Sequence, residues 1–216
     1  AEAHGLQIVG EVKYKANTTA LTSEVQALRS QGADVLCPAS YTNDAILTIE
    51  TARQQGYLPK MIVAQDAGYT DPAFIEGVGA AFAEGIASRS AFSIDITEIK
   101  PAAAKVNEMY REIAGKDMYD GPARCFTAMI VLLDAINRAG STEPDAIREA
   151  LEATDLGADD TIMPWQGVRF DEKHQNILGG GIIVQIQNGE YRTVYPFEVA
   201  TVEPSYPLQP WDQRGA

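Results

Sequence analysis

Cysteine, histidine and positive charge are all scarce in this chain. Its 216 residues hold two cysteines, Cys37 and Cys125, and two histidines, His4 and His174. A closed four-ligand zinc site would need carboxylates to complete it, and a disulfide-stapled small scaffold is excluded. Lys and Arg number 17 against 30 Asp and Glu, a formal charge of −13. A phosphate backbone selects clustered basic side chains, so this balance argues against nucleic acid as a partner. No apolar run reaches the roughly 18 residues that a membrane-spanning helix needs, which argues against direct membrane insertion. P-loop, G-x-S-x-G and H-E-x-x-H patterns are missing as well. The dense glycine run at 179–181 precedes a strand instead of opening a helix, so it reads as a hinge and not as a nucleotide cradle.

What remains is an ordinary globular composition, 45% hydrophobic and 22% charged, enough for one large or two small domains. The first part alternates. The apolar pattern predicts strands over 6–14, 34–38 and 60–64, with helices over 21–30 and from Thr42 or Asn43 to near Gly56. Strands alternating with helices of about a dozen residues imply parallel βαβ units, an α/β fold. Asp71 followed by Pro72 starts a short helix, and a fourth strand is expected over 85–92. The rhythm then changes to helices over 101–114, 122–139 and 144–153, and an extended piece over 165–170. Asn188 and Gly189 between apolar runs at 181–187 and 191–194 signal a β-hairpin. Residues 203–216, with three prolines, are expected to wrap the surface or hang loose. An interrupted and resumed α/β regime suggests two lobes, with crossings near Ser90 and residues 179–181.

Candidate chemistry is sparse. His174 sits in a polar, turn-like DEKHQN stretch, and His4 in a polar start. Cys37 and Cys125 read as buried small hydrophobes, with a bond between them left open. The strand ends are more productive, because open parallel sheets bind ligands outside the carboxyl ends of their strands. The second strand runs out into CPASY and the third into QDAGY, which presents Tyr41 and Asp66 on one rim. A carboxylate there pairs with an ammonium group, and a tyrosine supplies ring area and a hydroxyl. The structural alternative is that Asp66 caps a turn and Tyr41 packs on the next helix. The opening AEAHG reads as the tail of a helix closed by a glycine, so the chain is expected to start inside a larger protein; processing just before a first strand is the alternative.

At these residues the sequence resembles a known family. The run VGEVKY…LTSEVQALRSQGADVLCPASYTNDAILTIETARQQGYLPKMIVAQDAGY is similar to periplasmic substrate-binding proteins of ABC transporters, specifically the branched-chain (Leu/Ile/Val) amino-acid-binding family. CFTAMIVLLDAINRAGS resembles that family's long helix, and GVRFDEKHQN the segment before its final strands. The resemblance covers almost the whole chain but only the later part of the family's sequence. It implies a type I periplasmic-binding fold of two Rossmann-like lobes, the first lobe incomplete in this chain. Residues 1–90 and 180–216 would form the second lobe, and 91–179 the closing helical part of the first.

The resemblance also implies roles. Tyr41 would contact the ligand and Asp66 would hold its α-ammonium, with Ser40, Ala39 and Tyr69 as further lining residues. Many relatives carry Glu where Asp66 stands; Asp is one methylene shorter. The implied function is capture of an amino acid or related small carboxylate between two lobes and delivery to ABC permease membrane subunits. The location would be the periplasm, or a lipid-anchored extracytoplasmic position, with no cofactor, no metal and no catalysis. The alternatives are a ligand-sensing domain of an amide- or amino-acid-responsive regulator, or a small α/β enzyme. The enzyme reading is weakened because no nucleophile–base pair stands out.

Overall fold

The computed structural model describes residues 2–65 and 67–214. In chain order the elements are α1 (Thr22–Gln31), β1 (Val35–Leu36), α2 (Thr42–Gln54), β2 (Met61–Gln65), α3 (Pro72–Val78), α4 (Ala80–Ala83) and β3 (Ala87–Ser90). There follow α5 (Pro101–Ala114), α6 (Asp120–Ala139), α7 (Pro144–Glu152), β4 (Asp155–Gly157), β5 (Gly167–Arg169), β6 (Ile182–Gln187) and β7 (Glu190–Tyr195). Local chemistry explains most boundaries. Gly32, Gly115 and Gly140 close α1, α5 and α6 in the left-handed region, where a side chain would be strained. Asp71 caps α3 by accepting from Ala73 N, with Pro72 at the first helical position. Asn188 and Gly189, at φ 55° and 78°, make the type I′ turn that joins β6 to β7.

The chain divides into two units. The first comprises Ala1–Arg89, Ile183–Arg192 and Val202–Ala216. The sheet runs in the order β1-β2-β3-β6-β7, and β1, β2 and β3 pair in parallel. Its core joins Ile49 and Val25 from the helices to Ile62, Phe74, Ile86 and Ile186. Residues 203–214 wrap this unit. Leu208 N donates to Lys60 O at 2.9 Å, and Trp211 Nε1 donates to Tyr57 O at 3.0 Å.

The second unit comprises Ser90–Ile182 and Thr193–Thr201. Helices α5, α6 and α7 accompany an antiparallel pair, β4 with β5. Phe92, Ile96, Met118 and Met163 form its core, with Trp165 packed against it. Two buried carboxylates tie it together. Asp120 Oδ1 accepts from Ser90 Oγ (3.1 Å), Ala91 N (2.7 Å) and Phe92 N (3.2 Å). Asp95 accepts from Thr193 N (2.6 Å), from Thr193 Oγ1 (2.9 Å) and from Thr201 Oγ1. That second tie accounts for the grouping of 193–201 with this unit.

Three expectations from the sequence need correction. Residues 6–14 form no strand: Leu6 and Ile8 are 64% and 66% exposed, and no neighbouring strand pairs with them among the described residues. An isolated extended segment lacks the ladder that makes a strand stable. Cys37 and Cys125 are exposed and unbonded, Cys37 just beyond the short β1 and Cys125 on an outer face of α6. His174 lies exposed in a turn at φ 58°.

Burial pushes the phenols of Tyr69 and Tyr191, both in the first unit, far above the ordinary tyrosine value. A raised folded-state pKa holds the neutral form in the fold, so this contribution is whole below the unfolded value of about 10. It is lost as the pH climbs from there toward the folded-state value. Urea midpoints followed by Trp211 emission in a Trp165→Phe background should therefore fall above about pH 10, and Tyr191→Phe should flatten that fall. A midpoint unchanged up to pH 11.5 would contradict it.

Candidate functional site

Because β1 and β2 are parallel, their carboxyl ends open onto the same rim. A depression of about 550 Å³ lies there, entirely within the first unit. One wall is the stretch that leaves β1, contributing Ala39, Ser40 and Tyr41, with Asp44 from the first turn of α2 and Gln65 from the end of β2. The facing wall comes from the unpaired N-terminal stretch, through Val12, Lys13, Tyr14 and Ala16.

Hydrogen bonds hold the two walls together. Tyr14 Oη donates to Ser40 Oγ at 2.6 Å, and Asn17 N donates to Asp44 Oδ2 at 3.0 Å. Asn17 adopts φ 60°, a left-handed conformation that asparagine tolerates better than most residues. From below, Gly68 N donates to Ser40 O at 3.0 Å, which fixes the loop after β2 under the loop after β1. Tyr41 precedes α2 without capping it through its side chain, and its ring is 68% exposed on the rim.

The structure thus brings Ala39, Ser40 and Tyr41 together on one depression. Ser40 is buried and engaged by Tyr14, so its hydroxyl is a fixed acceptor in the wall. Asp66 lies outside the described residues. Tyr69, expected on the rim, is instead in the core: it is 0% exposed and its ring sits 4.9 Å from that of Phe74. The short helical turn Ala67–Tyr69 reverses the chain after β2 and carries the phenol inward. Its hydroxyl ends buried beside Ser40 and Thr48.

Four polar lining residues escaped the sequence reading: Lys13, Tyr14, Asp44 and Gln65. Asp44 left a readable trace, an acid in the first turn of a helix, where the macrodipole favours negative charge. Lys13 and Tyr14 left none, because their stretch patterns as a buried strand. No group of three or more metal-ligating side chains occurs among the described residues, and no described helix is long and apolar enough to cross a membrane.

The sequence model of the periplasmic binding protein family matches residues 1–190. The chain belongs to that family. It is 31% identical over 206 residues to Leu/Ile/Val-binding protein homolog 7 of Brucella suis biovar 1 (strain 1330), covering 92% of this chain and 50% of that protein. It is 30% identical over 203 residues to Leu/Ile/Val-binding protein homolog 8 of Brucella abortus (strain 2308), covering 93% of this chain and 50% of that protein. A leucine-binding protein from Thermotoga maritima MSB8 superposes with a TM-score of 0.72 at 25% identity, over 84% of this chain and 49% of that one. A branched-chain amino acid transporter substrate-binding protein from Streptococcus pneumoniae, solved with isoleucine, gives 0.70 at 19% identity, over 90% and 51% of the two chains. The fold is therefore that of the type I periplasmic binding proteins. The chain spans about half the length of the curated relatives it matches.

Proposed function

We propose that this chain is part of an extracytoplasmic solute-binding protein that captures an amino acid or a related small carboxylate and passes it to an ABC permease. The observation that carries the proposal is the depression at the carboxyl ends of β1 and β2, with the exposed ring of Tyr41 on its rim. Its volume falls within the range of about 300–1,000 Å³ typical of small-molecule sites. The relatives named as Leu/Ile/Val-binding proteins support the ligand class and a role in binding instead of catalysis. In this reading residues 1–90 and 180–216 are the family's second lobe and 91–179 the closing part of its first. Asp66, next after Gln65 at the end of β2, pairs with the ligand's α-ammonium, and Tyr41 covers its carbon skeleton. Closure of the lobes expels water and strengthens the ion pair, and the ligand shifts the open–closed balance by its differential affinity.

Saturation-transfer NMR, which registers weak binding, tests the reading on the chain itself with a panel of L-amino acids and their N-acetyl derivatives. Free amino acids should bind and acetylated ones should not, because acetylation removes the positive charge. Asp66→Ala should weaken binding by about tenfold or more, the loss of a charge-assisted hydrogen bond. Binding of no amino acid, or equal binding of the acetylated forms, would overturn the reading.

A further inference from the structure

Beneath the depression sits a charge that the proposed ion pair does not use. Asp44 is 1% exposed. Its Oδ2 accepts from Asn17 N at 3.0 Å, while its Oδ1 is buried with no hydrogen-bond partner. A buried carboxylate oxygen left unpaired is costly, because desolvation is not repaid by a donor. Such an atom on the wall of a ligand-sized depression asks for a donor from whatever fills that depression. The lining points the same way. Six of its nine side chains, Lys13, Tyr14, Ser40, Tyr41, Asp44 and Gln65, carry a polar group. Tyr69, buried beneath Ser40, places its phenol near the same carboxylate. An aliphatic side chain seated here would leave Oδ1 unpaired.

We propose that Asp44 Oδ1 is a specificity-determining acceptor, and that the solute carries a hydrogen-bond donor besides its α-ammonium. The class is a polar amino acid, with a side-chain amide, hydroxyl, guanidinium or second ammonium, in preference to a purely aliphatic one. This rests on the proposed capture of amino acids and narrows it. The wall formed by residues 12–17 lies outside the sheet and is tied down by the Tyr14–Ser40 and Asn17–Asp44 hydrogen bonds.

Asp44→Asn is the discriminating variant. The Asn17 N–H requires the amide oxygen on its side, so the fold keeps that bond while an NH₂ group replaces the free oxygen. The probes are L-glutamine, L-asparagine and L-lysine against L-leucine and L-valine, in the same NMR titration. The wild-type chain should favour the polar set by about tenfold or more, and Asp44→Asn should erase that preference by weakening the polar set. Hydrogen exchange over residues 12–17 at the wild-type rate would show the wall intact, so that lost preference reports the missing oxygen. If leucine binds as tightly as glutamine and Asp44→Asn changes neither, the inference is overturned, Oδ1 is served by water, and the amino-acid reading survives. If no amino acid binds, both fall.

Discussion

Replacing Asp120 by alanine should cost the second unit about 3–5 kcal/mol, the penalty for removing one partner of a buried charged network. Asp120 is 2% exposed and opens α6, yet it faces the chain that leaves β3. Its Oδ1 collects three donors, Ser90 Oγ, Ala91 N and Phe92 N, and Oδ2 pairs with Arg124 at 2.5 Å. Alanine strands the two backbone amides in the interior, where each unpaired group costs about 1–3 kcal/mol. Arg124 keeps access to water, its side chain being 48% exposed, so the loss falls on the amides. Asp120→Asn retains an acceptor in the Oδ1 position and should cost about 1–2 kcal/mol. Urea unfolding followed by Trp165 emission in a Trp211→Phe background reads this unit. With a slope of about 1–3 kcal/mol/M, the alanine variant should lower the midpoint by about 1–5 M. A shift equal to that of the asparagine variant would show that the amides find other partners and that the network has been misread.

The second large effect is expected at Gly68→Ala, where the first unit's core and its depression meet. Gly68 lies in the short turn after β2 and donates its N–H to Ser40 O at 3.0 Å. A Cβ there would run into the backbone of Tyr41 and Thr42, which cannot swing aside as a flexible side chain does. The turn must lift away from Ser40, drawing Tyr69 out of its packing against Phe74. Overpacking of this kind costs about 1–3 kcal/mol, and the rigidity of the obstacle places this case at the upper end. Gly180→Ala, read by Trp165 emission in a Trp211→Phe background, is the control: nothing lies within 4 Å of its added Cβ, and its stability should move by less than about 0.5 kcal/mol. Trp211 emission in a Trp165→Phe background reports the unit concerned. The amino-acid titration of Gly68→Ala should fail as well, since the rim at Ser40 and Tyr41 moves. Wild-type stability would mean that the two loops slide past each other freely.

Much of this architecture is written locally. Glycines at helix ends, Asp71 with Pro72, and the Asn188 and Gly189 turn each fix a boundary through their own backbone preferences, so a reader of the sequence finds them. Tyr41 is legible for a different reason: parallel strands put their exits on one rim, and CPASY is an exit. What escapes is whatever depends on a distant partner. Residues 6–14 carry a strand's pattern, but a strand exists only beside another. β4 is too short, three residues with a terminal glycine, to show any period. Tyr69 looks like its neighbours in QDAGY until the turn aims it inward. Asp44 reads as a helix-start acid, and its unpaired oxygen becomes visible only with the opposite wall in place. The grouping of 193–201 with the second unit depends on Asp95, about a hundred residues earlier.

The way the first unit is threaded also dictates an order of assembly. Its sheet takes β6 and part of β7 from late in the chain, and its outer face is strapped by 203–214 through Leu208 and Trp211. Closing such distant segments pays its loop entropy before the contacts reward it. The second unit draws nearly everything from one uninterrupted stretch, Ser90–Ile182, whose contacts are nearer in sequence. During synthesis from the N-terminus, β1, β2 and β3 therefore wait, with their α/β surface unfinished, while the helices made after them settle first. The unit that carries the depression is complete only once Trp211 reaches the carbonyl of Tyr57.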